Sequence, residues 1–528
     1  MSEITIDLLT EPAGVARARA MLQRAEWAAL SFTTFDKASV DRIVAAVAQV
    51  GASRAREFAE KAVAETGFGV VEHKVLKNIA MSTGIVETYR DHDYVTPRID
   101  PTAKIVEVPR PAGVVLALTP STNPVATVLF NTILALMTRS VVVVSPHPMA
   151  KRVCAEAARA LAEAAVAAGA PDGVIQVVDE PSVPLINTLM QDERTSVILA
   201  TGGTPVVRSA YSSGNPALGV GPGNVPVLVD ATADLVEAAR LIVESKSFDH
   251  GILCTNESVL IVEESAHANL LRHMTRAGAH LLEADERDRL REVLFPGGHF
   301  DTGFVGKSAA EIASAADIRV APNTKILVAP FDYVVPEEPL AHEKLCPVLG
   351  LVRVPTASRG IDAAKAVLRL TGKGHSAAIH SNDANTIMAY GAALPVLRIS
   401  VNVGNSLGSS GVATNLAPSM TIGTGFYGRS SLGENLQPKH LVQYTRLAYN
   451  ADTAVPFANF SGLNPWQAST GSVPPYPVAS NLVASGSVAQ PVSGSLAQHY
   501  EPMTNEAAAL REEVRRIVIE ELRRVVRN

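Results

Sequence analysis

The sequence predicts an α/β protein of parallel sheets with helices on both faces, followed by a linker and one amphipathic helix. Three features lead there. Short β-branched runs alternate with Ala-rich helical stretches between about residues 103 and 415. Hydrophobic residues make up 47% of the 528 residues and charged residues 19%, enough apolar material for two or three cored domains. Beyond about residue 450 the composition turns to Ser, Pro, Ala, Gly and Val with almost no charge.

Residues 11–91 show helical spacing, as at Ile43, Val44, Val47 and Val50. A strand is expected at 103–109, then buried strands at 114–119, 141–145, 174–178 and 197–200, with a helix at 151–168. Thr201-Gly-Gly-Thr204 follows the last of these and opens a helix at Pro205, a start whose free N–H groups suit a pyrophosphate. The texture repeats from 227 to about 415, with a strand at 226–229, a helix from Ala233 and a buried strand at 258–262. Residues 464–502 read as linker, with Pro474-Pro-Tyr-Pro477 and two Ser-Gly-Ser triplets. In 504–527, Leu510, Val514, Ile517, Val518, Leu522, Val525 and Val526 fall three or four apart and form one apolar stripe. Thr504 or Asn505 can cap its start, and Arg523, Arg524 and Arg527 suit its negative end.

The net charge of −6 argues against nonspecific nucleic-acid binding. Cys154, Cys254 and Cys346 offer neither a disulfide framework nor a CxxC metal pattern, so no metal is expected and a reducing, cytoplasmic interior is the simplest setting. The first residues carry no signal-peptide pattern, and no apolar run reaches the 18 residues of a membrane span.

Cys254 lies in Phe248-Asp-His-Gly-Ile-Leu-Cys-Thr-Asn-Glu257, just ahead of the predicted strand at 258–262. Gly251 lets backbone and ligand approach closely, and the strand gives the thiol a rigid support. A buried structural Cys would be the ordinary alternative. This block has ordered companions: Pro111-Ala-Gly-Val-Val-Leu-Ala-Leu-Thr-Pro-Ser-Thr-Asn-Pro124, Ala200-Thr-Gly-Gly-Thr204, Tyr211-Ser-Ser-Gly-Asn-Pro-Ala-Leu-Gly-Val-Gly-Pro-Gly-Asn-Val-Pro226, Glu343-Lys-Leu-Cys-Pro347 and Glu434-Asn-Leu-Gln-Pro-Lys-His440. Together, over about residues 10 to 450, they resemble the aldehyde dehydrogenase superfamily. Within it they resemble the CoA-acylating branch, which includes the aldehyde-oxidising half of bifunctional aldehyde–alcohol dehydrogenases.

The resemblance implies a dinucleotide-binding domain over 1–226, a catalytic domain over 227–415 and a return segment over 416–450 that completes the active site and oligomer contacts. A flexible linker over 451–502 and the helix over 503–528 would follow. It implies Cys254 as nucleophile and the Asn123 side chain, with the Cys254 N–H, as donors to the oxyanion. Asn123 in its Pro-rich loop would otherwise start a turn. Thr119, Pro120, Ser145, His147, Gly202, Gly203, Thr204 and Gly221 would line the nucleotide, and Glu343 would hold the nicotinamide ribose. Ser145-Pro-His-Pro148 stands where many hydrolytic relatives carry a Lys, so NAD is expected while NADP stays open.

Val220 stands where hydrolytic members carry the Glu that activates water. Loss of a general base typically costs ~10²–10⁴ in rate, and a thiol ionises far more readily than water. CoA is therefore the expected acyl acceptor. His375 is either a proton carrier or a packed structural His. His440 is the counterpart of a second family histidine, and His250, beside the nucleophile, either perturbs the thiol or stands clear of it. The literal GxGxxG at Gly423–Gly428 lacks the strand–turn–helix setting of a dinucleotide fingerprint and is expected as a tight loop near the active-site floor. The alternatives are a hydrolytic enzyme with another base and an inactive scaffold that delivers a partner through its tail. The linker and terminal helix resemble encapsulation peptides of bacterial microcompartments. That implies a small aldehyde as substrate, a homo-oligomer, and shell or cargo proteins as partners of residues 503–528.

Overall fold

The structure, a computed structural model, describes residues 14–469. The terminal helix expected at 503–528 and the linker beyond residue 469 lie outside the described residues. The chain enters through the helices Val15–Phe32, Lys37–Ser53, Ala55–Thr66 and Val71–Ile79. Asp36 caps the second of them by accepting from the Ser39 N–H at 2.9 Å. Their spacing buries Leu22, Ile43, Val44, Val47 and Phe58 in one core, with Val50 half-buried against it.

Strands β1 (Arg98–Asp100) and β2 (Ile105–Pro111) pair antiparallel. β2 begins two residues later than expected, because Lys104 takes a positive φ of 53° in the turn before it. Strands β3 (Val114–Thr119), β4 (Val141–Pro146), β5 (Ile175–Val177), β6 (Val197–Ala200) and β7 (Ala217–Gly219) form a wholly parallel sheet in the order β5-β4-β3-β6-β7. β3, β4 and β6 are buried at every position, as parallel strands covered on both faces must be. The chain runs outward from β3 to β5 and then returns to β6 on the other side of β3. This reversal opens a crevice beyond the carboxyl ends of β3 and β6, the usual ligand position in open α/β sheets.

Strands β8 (Val225–Val229), β9 (Glu257–Glu263), β10 (Ala279–Leu281), β11 (Ile326–Pro330), β12 (Val348–Val354), β13 (Ala377–His380) and β14 (Ile399–Val401) make a second parallel sheet, ordered β10-β11-β12-β9-β8-β13-β14. Leu228, Val259 and Ile261 pack on one face; Val227, Val229, Leu260 and Val262 pack on the other. The helix expected from Ala233 starts at Leu235, because the Asp234 carboxylate accepts from the Val236 and Glu237 N–H groups at 3.1 Å and serves as its cap. β15 (Val442–Ala448) then returns to pair antiparallel with β2.

The expected linker is fixed over its first part. Trp466 Nε1 donates to the Val95 carbonyl at 2.6 Å, and its ring lies 4.1 Å from the buried Arg139 guanidinium. Gln467 exchanges backbone bonds with Thr34 and Asp36 at 2.8 Å. A Trp with a polar acceptor and a cation over its face docks where composition alone reads linker. Among the described residues no helix is long and apolar enough to cross a membrane.

Candidate active site

The two parallel sheets contribute opposite ends. From the first come carboxyl-terminal loops: Thr119 ends β3, Pro120 and Asn123 follow it, and Gly202, Gly203 and Thr204 follow β6. From the second come amino-terminal loops: Gly221 and Gly223 precede β8, Cys254 precedes β9, Glu343 precedes β12 and His375 precedes β13.

The loop carrying Cys254 is held on both sides. Behind it, Thr255 donates to the Ser406 carbonyl at 2.9 Å, and buried Lys246 bonds the Asn256 side chain. The Glu257 carboxyl accepts from Ser245 and from the Asn405 N–H, both at 2.7 Å. Ahead of it, Asp249, His250 and Gly251 all take positive φ, at 50°, 55° and 65°. For the two non-Gly residues such backbone costs on the order of 1–3 kcal/mol each and persists only where the surroundings over-determine it.

Those surroundings are ionic. Asp249 is fully buried; it accepts from the Val70 N–H at 2.6 Å and from Lys74 at 3.1 Å, and it pairs with Lys77. Burial works to raise its carboxyl, but the two lysines prevail and hold it at about 2. Lys77 in turn donates to Asn123 Oδ1 at 2.6 Å.

Gly223 donates its N–H to Glu343 Oε1 at 3.1 Å. A methyl on Gly223 would lie 2.2 Å from the Cys254 carbonyl oxygen and 2.9 Å from Glu343 Oε1, so the carboxyl stands beside the nucleophile backbone. Burial pushes Glu343 up to about 8. Burial and the Glu343 charge together push the Cys254 thiol up to about 12, while Arg398 pulls the other way. The charged groups that act on the thiol are thus Glu343 and Arg398. His250 engages the Gly306 carbonyl through Nδ1 at 3.1 Å.

His375 is fully buried. Its Nδ1 meets Ser376 Oγ at 3.0 Å, and its Nε2 has no hydrogen-bond partner. Burial, assisted by Arg398, depresses it to about 3, so it is neutral at pH 7. His440 is engaged locally, accepting from the Gln437 N–H at 2.9 Å and meeting Glu434 at 3.1 Å. The GxGxxG loop packs here as a tight turn: Gly425 has φ 55°, Gly423 accepts from Arg398 at 2.5 Å, and Thr424 lies against Gly221 and Gly374.

At the nucleotide side, the helix Thr204–Tyr211 begins with Gly203 as cap and no side-chain oxygen closing its end. Only the flanking Val206 and Pro205 side chains come within 4 Å of where Cβ atoms on Gly202 and Gly203 would lie, so a phosphate can approach this backbone. Ser145 is buried within β4. His147 caps the short turn Pro148–Ala150 through Nδ1, 3.2 Å from the Met149 N–H.

Lys74, Lys77, Asp249, Gly223 and Arg398 were given no role by sequence reasoning. One signal was available: Lys74 and Lys77 stand three apart, on one face of a short helix.

The aldehyde dehydrogenase family model matches residues 9–293. The bifunctional aldehyde–alcohol dehydrogenase of Escherichia coli K12 is 36% identical over 444 residues, 83% of this chain and 50% of that protein. The chain thus spans about half the length of such bifunctional relatives. The acetylating succinate-semialdehyde dehydrogenase of Clostridium kluyveri is 35% identical over 439 residues, 83% of this chain and 96% of that enzyme. Among solved structures, an acetylating aldehyde dehydrogenase from Geobacillus thermoglucosidasius superposes with a TM-score of 0.82 at 36% identity, covering 84% of this chain and 98% of that one. A propionaldehyde dehydrogenase from a Clostridium phytofermentans fucose-utilisation microcompartment gives 0.74 at 26%, covering 82% and 97%. The Rhodopseudomonas palustris propionaldehyde dehydrogenase, solved with bound CoA and an acylated cysteine, gives 0.74 at 27%, also covering 82% and 97%.

Proposed function

Because the chain belongs to the aldehyde dehydrogenase family, we propose that it is a CoA-acylating member, converting a small aldehyde, CoA and NAD⁺ to acyl-CoA, NADH and a proton. The observation that carries this reading is Val220. Its side chain is 5% exposed, its N–H is bonded to the Ala200 carbonyl, and it brings no carboxylate to the position where hydrolytic members activate water. The acetylating relatives and the relative with CoA beside an acylated cysteine support the same reading.

Cys254, a protonated thiol at pH 7, gives its proton to solvent as it adds to the aldehyde carbon, an ionisation that Arg398 favours, and the addition forms a C–S bond and an alkoxide. The Asn123 amide and the Cys254 N–H donate to that oxygen. When bound, the nicotinamide would supply the hydride acceptor. Gly202, Gly203 and Thr204 would offer the open helix start to its pyrophosphate, Thr119 and Pro120 would lie at the end of β3 beside it, and Glu343 would meet the ribose. The Cys254 thioester is then attacked by the CoA sulfur, and the Cys254 thiolate leaves. His375, neutral with Nε2 unpaired, is assigned as the acceptor of the CoA thiol proton, a role that requires CoA binding to relieve the burial that holds it at about 3. NAD is the proposed acceptor, and NADP binding is the direct comparison.

Incubation with aldehyde and NAD⁺ in the absence of CoA should leave an acyl adduct on Cys254, read by peptide mass spectrometry. Cys254→Ala should abolish oxidation while buried Cys154→Ala and Cys346→Ala retain most of it. A folded, active Cys254→Ala enzyme would refute the assignment.

We further propose that the protein is a homo-oligomeric microcompartment cargo whose residues 503–528 dock on shell or cargo proteins. The apolar stripe in the sequence and the microcompartment relative support it. Removal of residues 503–528 should spare turnover and prevent co-purification with shells; a tail-less protein that still co-purifies would count against it.

A further inference from the structure

The ion cluster between the helix Val71–Ile79 and the nucleophile loop is buried throughout: Lys74 is 3% exposed, Lys77 5% and Asp249 0%. Two ammonium groups share one carboxylate, and they are not equivalent. Lys77 touches both Asp249 and Asn123 Oδ1. Lys74 touches Asp249 and, at 3.4 Å, the Thr122 carbonyl. An ammonium has three donors and no acceptor, so the Asn123 atom it bonds is the amide oxygen. The NH₂ group of Asn123 is therefore the end left free to donate, and among the described residues Thr122 Oγ1 at 3.3 Å is its one partner. Asp249, on the same cluster, opens the left-handed segment that leads into Cys254, and its own N–H donates to His73 Nδ1 at 2.8 Å.

We propose that Lys77 and Asp249 are positioning residues: Lys77 locks the Asn123 amide as a donor toward the aldehyde oxygen, and Asp249 ties that lysine to the loop carrying Cys254. One buried cluster then sets the nucleophile and the oxyanion donor together, before substrate arrives. Its excess of one positive charge also favours the developing alkoxide. The proposal rests on the roles assigned above to Cys254 and Asn123.

A double-mutant cycle tests it. Lys77→Met, Asn123→Ala and the double variant are compared by kcat/KM for aldehyde at saturating NAD⁺ and CoA, with Lys74→Met as the matched loss of a buried charge. Loss of an oxyanion donor costs roughly 10²–10³, so Asn123→Ala should fall in that range and Lys77→Met roughly ten- to a hundredfold below wild type. The double variant should be no worse than Asn123→Ala alone, whereas Lys74→Met, which shares Asp249 but does not touch the Asn123 amide, should keep more of its own loss when combined with Asn123→Ala. Iodoacetamide labelling of Cys254 and the thermal midpoint report on the loop and the fold. If Lys77→Met does not fold, Lys77→Gln carries the same cycle. Independent multiplication of the Lys77 and Asn123 effects, or Lys77→Met within about twofold of wild type beside an inactive Asn123→Ala, overturns the positioning role. Full activity in Asn123→Ala overturns the underlying oxyanion assignment instead.

Discussion

Gly223→Ala is a sharp steric test of the site. The added methyl would start 2.2 Å from the Cys254 carbonyl oxygen, where real contacts are essentially never under 3.0 Å. The nucleophile loop or the Gly223 strand entry must therefore shift by about 0.8 Å at least, and the same methyl presses Glu343 Oε1 at 2.9 Å. The loop cannot yield cheaply, because Thr255, Asn256 and Glu257 are bonded behind it and Asp249 ahead of it. Gly223 has no positive φ, so backbone strain does not contribute. Misplacement of reacting groups by about 1 Å costs on the order of a hundredfold, or about 2.7 kcal/mol in the barrier. Steady-state kcat at saturating substrates should fall by that order, and the thermal midpoint should fall as well, since overpacking a held site costs about 1–3 kcal/mol. Gly391→Ala, in a helix with open space where its Cβ would lie, is the comparison and should match wild type. Wild-type kcat in a folded Gly223→Ala enzyme would show that the loop is not held as described.

Two pH effects follow from the buried charges. Glu343, at about 8, is mostly neutral at pH 7 and ionised at pH 9, so Glu343→Gln should accelerate iodoacetamide labelling of Cys254 at pH 9 and change it little at pH 7; equal acceleration at both would contradict the coupling. Asp249 titrates at about 2 in the fold against an ordinary 3.8, so its contribution to stability is complete above about pH 4 and lost as pH falls toward 2. Asp249→Asn should flatten that part of the acid-unfolding curve and lower the midpoint at pH 7, since two buried lysines lose their counter-charge.

The strands of the first sheet were legible because burial on both faces writes them as unbroken β-branched runs, and Val114–Thr119 and Val197–Ala200 fall where the pattern put them. Their order, β5-β4-β3-β6-β7, was not legible, since pattern carries no strand order. Cys254 and Asn123 were legible as members of motif blocks. The Lys77–Asp249 pair was not, because its members lie 172 residues apart and single charges announce no partner. Arg398 was hidden likewise: an isolated Arg looks like surface until carbonyls of His375 and Gly423 are found to hold its guanidinium in the interior. His147 and His440 each engage one ring nitrogen in a local cap, a use that motif matching alone does not announce. The docked Trp466 was masked by the polar, Pro-rich composition around it.

The central claim is that acyl transfer goes to a thiol and not to water, because the site holds no carboxylate at Val220. Steady-state NADH formation across a panel of small aldehydes, with and without CoA, measures this directly. The account predicts sustained turnover with CoA, acyl-CoA as product, and at most a stoichiometric burst without it; rapid sustained turnover to free acid in the absence of CoA would contradict it.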